Sequence, residues 1–461
     1  MTLRSAVTAI ALRVGATLLS ATMFVWIAVV NGYPLIFNDT GRYVDGGIRH
    51  FIPSQGPIFY GIFMIPLHLD GWSLWPVVVA QCLVLAYVLR LTLRVFNLLD
   101  ERTFLALSAF LAAFTGAPWF ASLIMPDFFT AISVLTLFAL FRGWERLGRW
   151  ERVFLIGLVL LALASHITHI FVGLSFSVLF VALSLLERVR NKATPTMVAS
   201  LPVIALCGVI GMNVAAKGRP LVTQDGNVFL FARAFADGPG YEYMRDNCGQ
   251  RAWHLCEIYT TLPHDVDSIL WAPQRLIWSV ASGDEVRAEA GDIVRGAVLA
   301  HPSEMLAAAL HNAFTQLLIF RSGVDFDSWG ANDSYAAIAI HHFFPREYSQ
   351  FMHSLQQESK LDATVVNRLY SFVVIFSLIG LVILLVLMRF DVTLAEFILV
   401  IAVALAANAF ATGAFSSVHD RYQARIIWLV PLVFVISFLV YRRQRDARLA
   451  PLADKPIMGK T

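Results

Sequence analysis

The chain has 461 residues, of which 58% are hydrophobic and only 15% charged. A water-soluble fold of this length cannot hide so much apolar surface, so the composition excludes an ordinary soluble domain and predicts an all-α polytopic membrane protein. The net charge of +3 is too small to point to nucleic acid, and no nucleic-acid partner is expected.

About ten apolar stretches have the length of a hydrocarbon crossing: 8–30, 72–96, 103–118, 126–142, 153–167, 170–187, 197–214, 366–388, 394–411 and 425–441. The 153–167 stretch is short and has to pack inside the bundle. The first stretch has no small-residue cleavage site followed by a soluble domain, and reads as a retained helix. Placing both termini in the cytoplasm puts Arg4 and Arg13; Arg90, Arg94 and Arg102; Arg142, Arg146, Arg149 and Arg152; Arg188, Arg190 and Lys192; Arg389; and Arg442, Arg443, Arg445 and Arg448 on the inside. The short outer loops hold only Arg42, Arg49 and Arg421, with Arg425 at a helix start, so every turn obeys the positive-inside bias.

This divides the chain into a seven-helix module (1–214) with its first outer loop at 31–71, a large outer domain of mainly α pattern (215–365), three C-terminal helices (366–441) and a basic cytoplasmic tail (442–461).

The first outer loop reads Asn38-Asp39-Thr40-Gly41-Arg42-Tyr43, followed by Asp45 and Arg49. Arg42 and Arg49 are seven apart and would share one face of a short interfacial helix. A carboxylate beside a membrane can act as a general base on a hydroxyl, or hold a divalent cation against a phosphate. Asp39 can equally be the N-cap of that helix, bonding the amides near Arg42. Pro57-Ile58-Phe59-Tyr60-Gly61 then opens an apolar stretch too short to span, which reads as a surface helix or as a loop packed on the bundle. Asp127 follows Met125-Pro126 at the outer end of the fourth stretch. An acid at that depth is costly and marks function, although proline and an acid also make a normal helix start. His166 and His169, three apart at an outer turn, could share a face toward a phosphate or a metal, or simply satisfy a polar turn.

In the outer domain, Gly238-Pro239-Gly240 is a turn signal and Pro302 to Phe320 an amphipathic helix. Cys82 and Cys207 lie in apolar stretches. Cys248 and Cys256 lie eight apart beside Tyr241 and Trp253, and are expected to form a disulfide in an oxidising compartment; His254 and His264 nearby match no familiar zinc spacing. At the mouth of the final stretch, Ser416-Ser417-Val418-His419-Asp420-Arg421-Tyr422-Gln423-Ala424-Arg425 sets two arginines one turn apart. They can clamp a phosphate, or snorkel at the interface.

Taken together, Asp39 in the first outer loop, the Pro57–Tyr60 segment, Asp127, the outer domain after the seventh span and the Arg421-Tyr422 pair resemble the GT-C class of integral-membrane glycosyltransferases. Two features depart from that pattern: Gln55-Gly56-Pro57 stands where a tandem proline with a basic residue is usual, and Asp39 is followed by Thr40-Gly41-Arg42 rather than a second acid. The resemblance implies a bacterial inner-membrane enzyme that moves a sugar from a polyprenyl-phosphate carrier to a glycan or lipid acceptor at the periplasmic face. Asp39 would be the base or the anchor of a divalent metal (Mg or Mn), and Asp127 the second acid. Arg42, Tyr43, His166, His169, Arg421 and Arg425 would bind the donor. A surface-polysaccharide polymerase or ligase is the nearest alternative, with Arg233, Arg245, Arg251, Arg275 and Arg287 available as clamps. A transporter or flippase would show repeats and mid-span charges, and neither is evident.

Overall fold

The computed structural model describes residues 3–186, 193–272, 276–324, 326–329, 334–388 and 391–453. The expected inside cations Arg188, Arg190, Lys192 and Arg389, the outer Arg275, and the tail from 454 onward lie outside them. Among the described residues the regular elements are helices, with one isolated parallel bridge between Leu35 and Leu123.

Among the described residues seven helices are long and apolar enough to cross a membrane: Trp75–Val95, Phe128–Arg146, Ile167–Leu186, Thr194–Lys217, Thr364–Leu387, Val392–Phe415 and Asp420–Ala447. The other three expected crossings are shorter. The apolar part of Leu3–Phe24 begins at Ile10, and Glu101–Phe114 and Arg149–Ala164 have 14 and 16 residues, against the ~20 an upright crossing needs. Local signals set several helix starts. Asp100 accepts from the Arg102 and Thr103 amides ahead of Glu101–Phe114, and Asp391 accepts from Thr393 ahead of Val392–Phe415.

Phe128–Gly143 is buried along almost its whole length and forms the centre of the bundle. Thr364–Leu387 lies at the edge, where Phe372, Ile379, Val382 and Val386 are exposed as lipid-facing side chains would be. An ion pair joins two of the crossings. Arg142 donates through Nε and a terminal nitrogen to Glu396, whose own burial requires a partner.

The residues of 215–365 contribute to two cores. Val228, Phe231, Phe235, Met244, Ile277, Val286 and Ile293 belong to a separate cluster, stapled by the disulfide between Cys248 and Cys256. Ala336, Ile340, Phe344, Phe351 and Ala363 instead join the main core of the bundle. Buried Glu347 fastens that second part. It accepts from Tyr33 Oη (2.9 Å), Ser73 Oγ (2.6 Å) and the Leu74 amide (3.1 Å). The end of the bundle that carries this polar segment is called the loop end below.

Candidate functional site

The backbone first brings two distant loops together at the loop end. The Leu35 amide donates to Ser122 O (2.9 Å), the Ile124 amide to Leu35 O (3.0 Å) and Thr40 Oγ1 to Ile124 O (2.8 Å). These bonds hold the start of the Asn38–Arg49 helix against the stretch that leads into Asp127. The helix can approach the Tyr335–Phe343 helix closely because residue 41 is glycine: a Cβ there would lie 2.4 Å from Tyr335 O.

Asp39 is in the first turn, not at the cap. Phe37 is the N-cap residue, and Thr40 Oγ1 accepts from its amide at 3.0 Å. The Asp39 carboxylate turns away from the backbone to accept from an Arg42 terminal nitrogen at 2.8 Å, and it stays one-third exposed. This removes the capping reading, because the bond to the Asp39 carboxylate comes from a guanidinium and not from the helix amides near Arg42. Arg42 is buried. Its other terminal nitrogen donates to Gln55 Oε1 (2.8 Å), it lies 5.0 Å from the centre of the Tyr43 ring, and its Nε has no hydrogen-bond partner among the described residues. Arg49 does not join it. It pairs with Asp45 (3.0 Å), over the Phe343 ring, in a separate cleft of about 740 Å³ lined also by Tyr335, His341, His342 and Tyr348.

The surface-helix reading of 57–61 gives way to packing. The Phe59–Met64 helix buries Tyr60, whose hydroxyl donates to Gln81 (2.7 Å), and Gln81 donates in turn to Ala121 O and Leu123 O (3.0 Å each). Tyr60 stacks edge-on against Tyr43 at 5.3 Å and forms the wall behind it. Burial pushes the Tyr43 phenol up to about 12. Arg42 opposes that rise, and the Asp39 and Asp127 carboxylates add to it, so Tyr43 is a neutral donor at any physiological pH.

Asp127 is 1% exposed and does not cap its helix. It faces two arginines: Arg425 at 3.3 Å and Arg421 at 3.6 Å. Arg425, also 1% exposed, donates from its other terminal nitrogen to Asn408 Oδ1 (2.8 Å) and Thr168 Oγ1 (2.9 Å), while its Nε is buried without a hydrogen-bond partner among the described residues. Arg421 lies 3.9 Å from the centre of the Phe37 ring, which links the last crossing to the residue before Asn38. His169 is fixed between Ala162 O (2.9 Å) and Thr130 Oγ1 (2.7 Å), and His166 contacts Thr168 Oγ1 (2.8 Å), with the two rings 5.3 Å apart. These bonds satisfy the turn locally, and they also line the side of the cluster next to Arg425.

The structure therefore joins Asp39, Arg42 and Tyr43 with Asp127, His166, His169, Arg421 and Arg425, from four separate stretches of chain. Sequence reasoning missed Gln55, Thr168 and Asn408. Asn408 was the most findable, as an amide inside an otherwise apolar stretch. Three of the arginines expected as clamps pair elsewhere, Arg233 with Asp237, Arg245 with Asp246 and Arg287 with Asp225, whereas Arg321 pairs with Asp420 beside Arg421. The donor set is a poor match for a divalent cation. A hard cation wants several oxygen ligands, whereas Asp39 offers one carboxylate with a guanidinium on it, and Asp127 is flanked by two more. The cluster has the chemistry of an anion site instead. Glu242, His301 and Glu304, the one described group with metal-ligating spacing, belong to the polar segment.

Comparison with protein-family models, with curated proteins and with solved structures gives no match.

Proposed function

We propose that the chain is a GT-C-type membrane glycosyltransferase that moves a sugar from a polyprenyl-phosphate donor to a glycan or lipid acceptor, with the loop end facing the periplasm of a bacterial inner membrane and both termini in the cytoplasm. The acceptor hydroxyl attacks the anomeric carbon, and its proton passes to Asp39. The bond from that carbon to the phosphate oxygen breaks, and the electron pair leaves on the polyprenyl phosphate. Arg42, bonded to Asp39, and Arg421, 3.6 Å from Asp127, stabilise the charge that develops on the phosphate. Arg425, enclosed by Asp127, Asn408 and Thr168, holds Asp127 in place and orients Arg421 through it. Asp127 keeps the arginines charged and aligned when no donor is bound.

One observation carries the reading: a half-open carboxylate and a buried carboxylate converge with three arginines at the loop end of a membrane bundle. Charged groups at that depth are expensive unless they serve a polar ligand. The test is Asp39→Asn. The amide keeps the size of the side chain and an oxygen that can accept from Arg42, Asp39 makes no capping bond, and the pair is partly open to solvent, so the variant should still fold and insert with only a small loss of stability. Losing the base should slow transfer by about 10²–10⁴-fold. The envelope glycan and lipid profile of a strain carrying the variant should match that of a deletion strain, and a wild-type profile would remove Asp39 from the chemistry.

A further inference from the structure

A helix on the surface of a water-soluble domain turns polar residues to solvent and apolar residues to the core. The Pro302–Leu318 helix does the reverse. Asn312 and Gln316, one turn apart, are its buried residues. Asn312 Nδ2 lies 3.0 Å from both carboxylate oxygens of Asp237. Gln316 donates to His419 O at 2.8 Å and accepts from the His419 amide at 2.9 Å. On the opposite face Leu306, Leu310, Phe314 and Leu318 recur every four residues and are 58%, 54%, 63% and 59% exposed. Leu299, at the end of the preceding helix, is exposed as well, while His311 and Glu304 are also exposed and fall beside the stripe on the helical wheel.

The neighbouring crossing shows what covers this stripe. Pro302–Leu318 packs along Val392–Phe415, with its Asn312 carbonyl so near Gly413 that a Cβ there would come within 2.6 Å. On the earlier part of that crossing Ala395, Leu399, Ala402 and Ala406 are exposed, at spacings of four and three, and so form one outward row. Seven residues beyond Ala406 the same row reaches Gly413, where the exposure stops because Pro302–Leu318 lies on top. The lipid-facing row of the crossing is thus continued, one layer out, by the leucines of the covering helix. At 17 residues, about 25 Å, that helix is too short to cross alone but long enough to lie through one leaflet.

We propose that the Leu306–Leu310–Phe314–Leu318 face is seated in bilayer lipid, so that Pro302–Leu318 is a membrane-embedded strut and not part of a water-exposed domain. Lipid is the occupant because the face extends the outward row of a helix long and apolar enough to cross a membrane, and the buried amides Asn312 and Gln316 have their partners on the protein side. The consequence is positional. Through Asp237 and His419 the strut fixes the polar segment, and the loop that leads to Arg421, at the height of the lipid surface.

The proposal is tested with Leu306→Cys, Leu310→Cys and Phe314→Cys, each in the full chain with Cys207→Ser, labelled with a nitroxide and reconstituted in phosphatidylethanolamine–phosphatidylglycerol vesicles. Arg245→Cys on the polar segment is the aqueous control. Molecular oxygen concentrates in lipid and a nickel chelate in water. Collisions with oxygen should exceed those with the chelate several-fold at positions 310 and 314, with the order reversed at 245. Chelate-dominated collisions at 310 and 314 would mean a water-exposed face. Low accessibility to both reagents would mean a protein partner or a second copy on the stripe. Either result overturns the proposal, and neither depends on whether the chain transfers sugar.

Discussion

Asp39 and Asp127 both sit against arginine, but one is partly open and the other sealed, and that difference separates their roles. Removing the charge of Asp127 leaves Arg425, almost fully buried, with only the neutral oxygens of Asn408 and Thr168. Breaking a buried pair from one side typically costs about 3–5 kcal/mol. Asp127→Asn is therefore expected to lower the melting temperature measurably and to reduce activity with it, whereas Asp39→Asn, in a pair one-third open on the carboxylate side, should lower it far less and lose activity out of proportion. Restoring neutrality with Asp127→Asn plus Arg425→Gln should cost less stability than Asp127→Asn by itself. If the double variant melts no higher than the single one, the two side chains are not a coupled pair. The charged members of this site were legible because charge is conspicuous in an apolar sequence. Their neutral partners were not. Gln55, Thr168 and Asn408 become meaningful only when folding sets them 2.8–2.9 Å from a guanidinium, and no spacing rule links positions 13 to 257 residues apart. Gln55 stands where the resemblance led us to look for a basic residue, and in this chain it holds Arg42.

At the scale of the element, the placement of Asp39 depends on a helix that touches its neighbours through bare backbone. In Gly41→Ala the new methyl would lie 2.4 Å from Tyr335 O and 2.5 Å from its carbonyl carbon, and neither backbone atom can step aside cheaply. Overpacking of this kind costs about 1–3 kcal/mol. The expected result is a lower melting temperature together with impaired transfer, although residue 41 has no functional group. A variant with wild-type melting would mean that the Asn38–Arg49 and Tyr335–Phe343 helices can separate without cost. The disulfide works at the same scale. Cys248 and Cys256 close a loop with a sequence separation of 8, which on the chain-entropy account is worth about 2–3 kcal/mol. Cys248→Ser should destabilise the cluster around Phe231, Phe235 and Met244 by that order, read as faster amide exchange there and not in the crossings. The disulfide could be read from the cysteine pattern because spacing and compartment constrain it. The Gly41 contact could not, because nothing local to Asn38–Arg49 announces a helix almost 300 residues away.

For the whole molecule, hydropathy revealed the membrane bundle and its long polar interruption, but not how the interruption is divided. An apolar pattern says that a face is buried, not what buries it, so 335–363 read as part of an outer domain although it shares the core of the bundle. The part with its own core also returns to the bundle beside the last crossing. Asp267 accepts from Ser417 Oγ at 3.1 Å and lies 3.1 Å from His419 Nε2, which clasps the polar segment onto the loop just before Arg421. Burial alone would raise the Asp267 pKa, but the bond from His419, its charge and the Ser417 hydroxyl bring it below the ordinary carboxylate value. A carboxylate depressed in the folded state contributes stability that is fully present above its unfolded pKa of about 4 and is lost as pH falls through the folded value. At pH 7 Asp267→Asn should therefore speed amide exchange across residues 416–419 relative to wild type. The difference should shrink as the pH is lowered past 4, because acid protonates the wild-type carboxylate and brings it to the state the variant already has. A difference that stayed constant down to pH 3 would show that the carboxylate charge plays no part in the clasp, and that the polar segment is held by its other bonds, among them Gln316 to His419, Arg321 to Asp420 and Thr223 to Ser54 O.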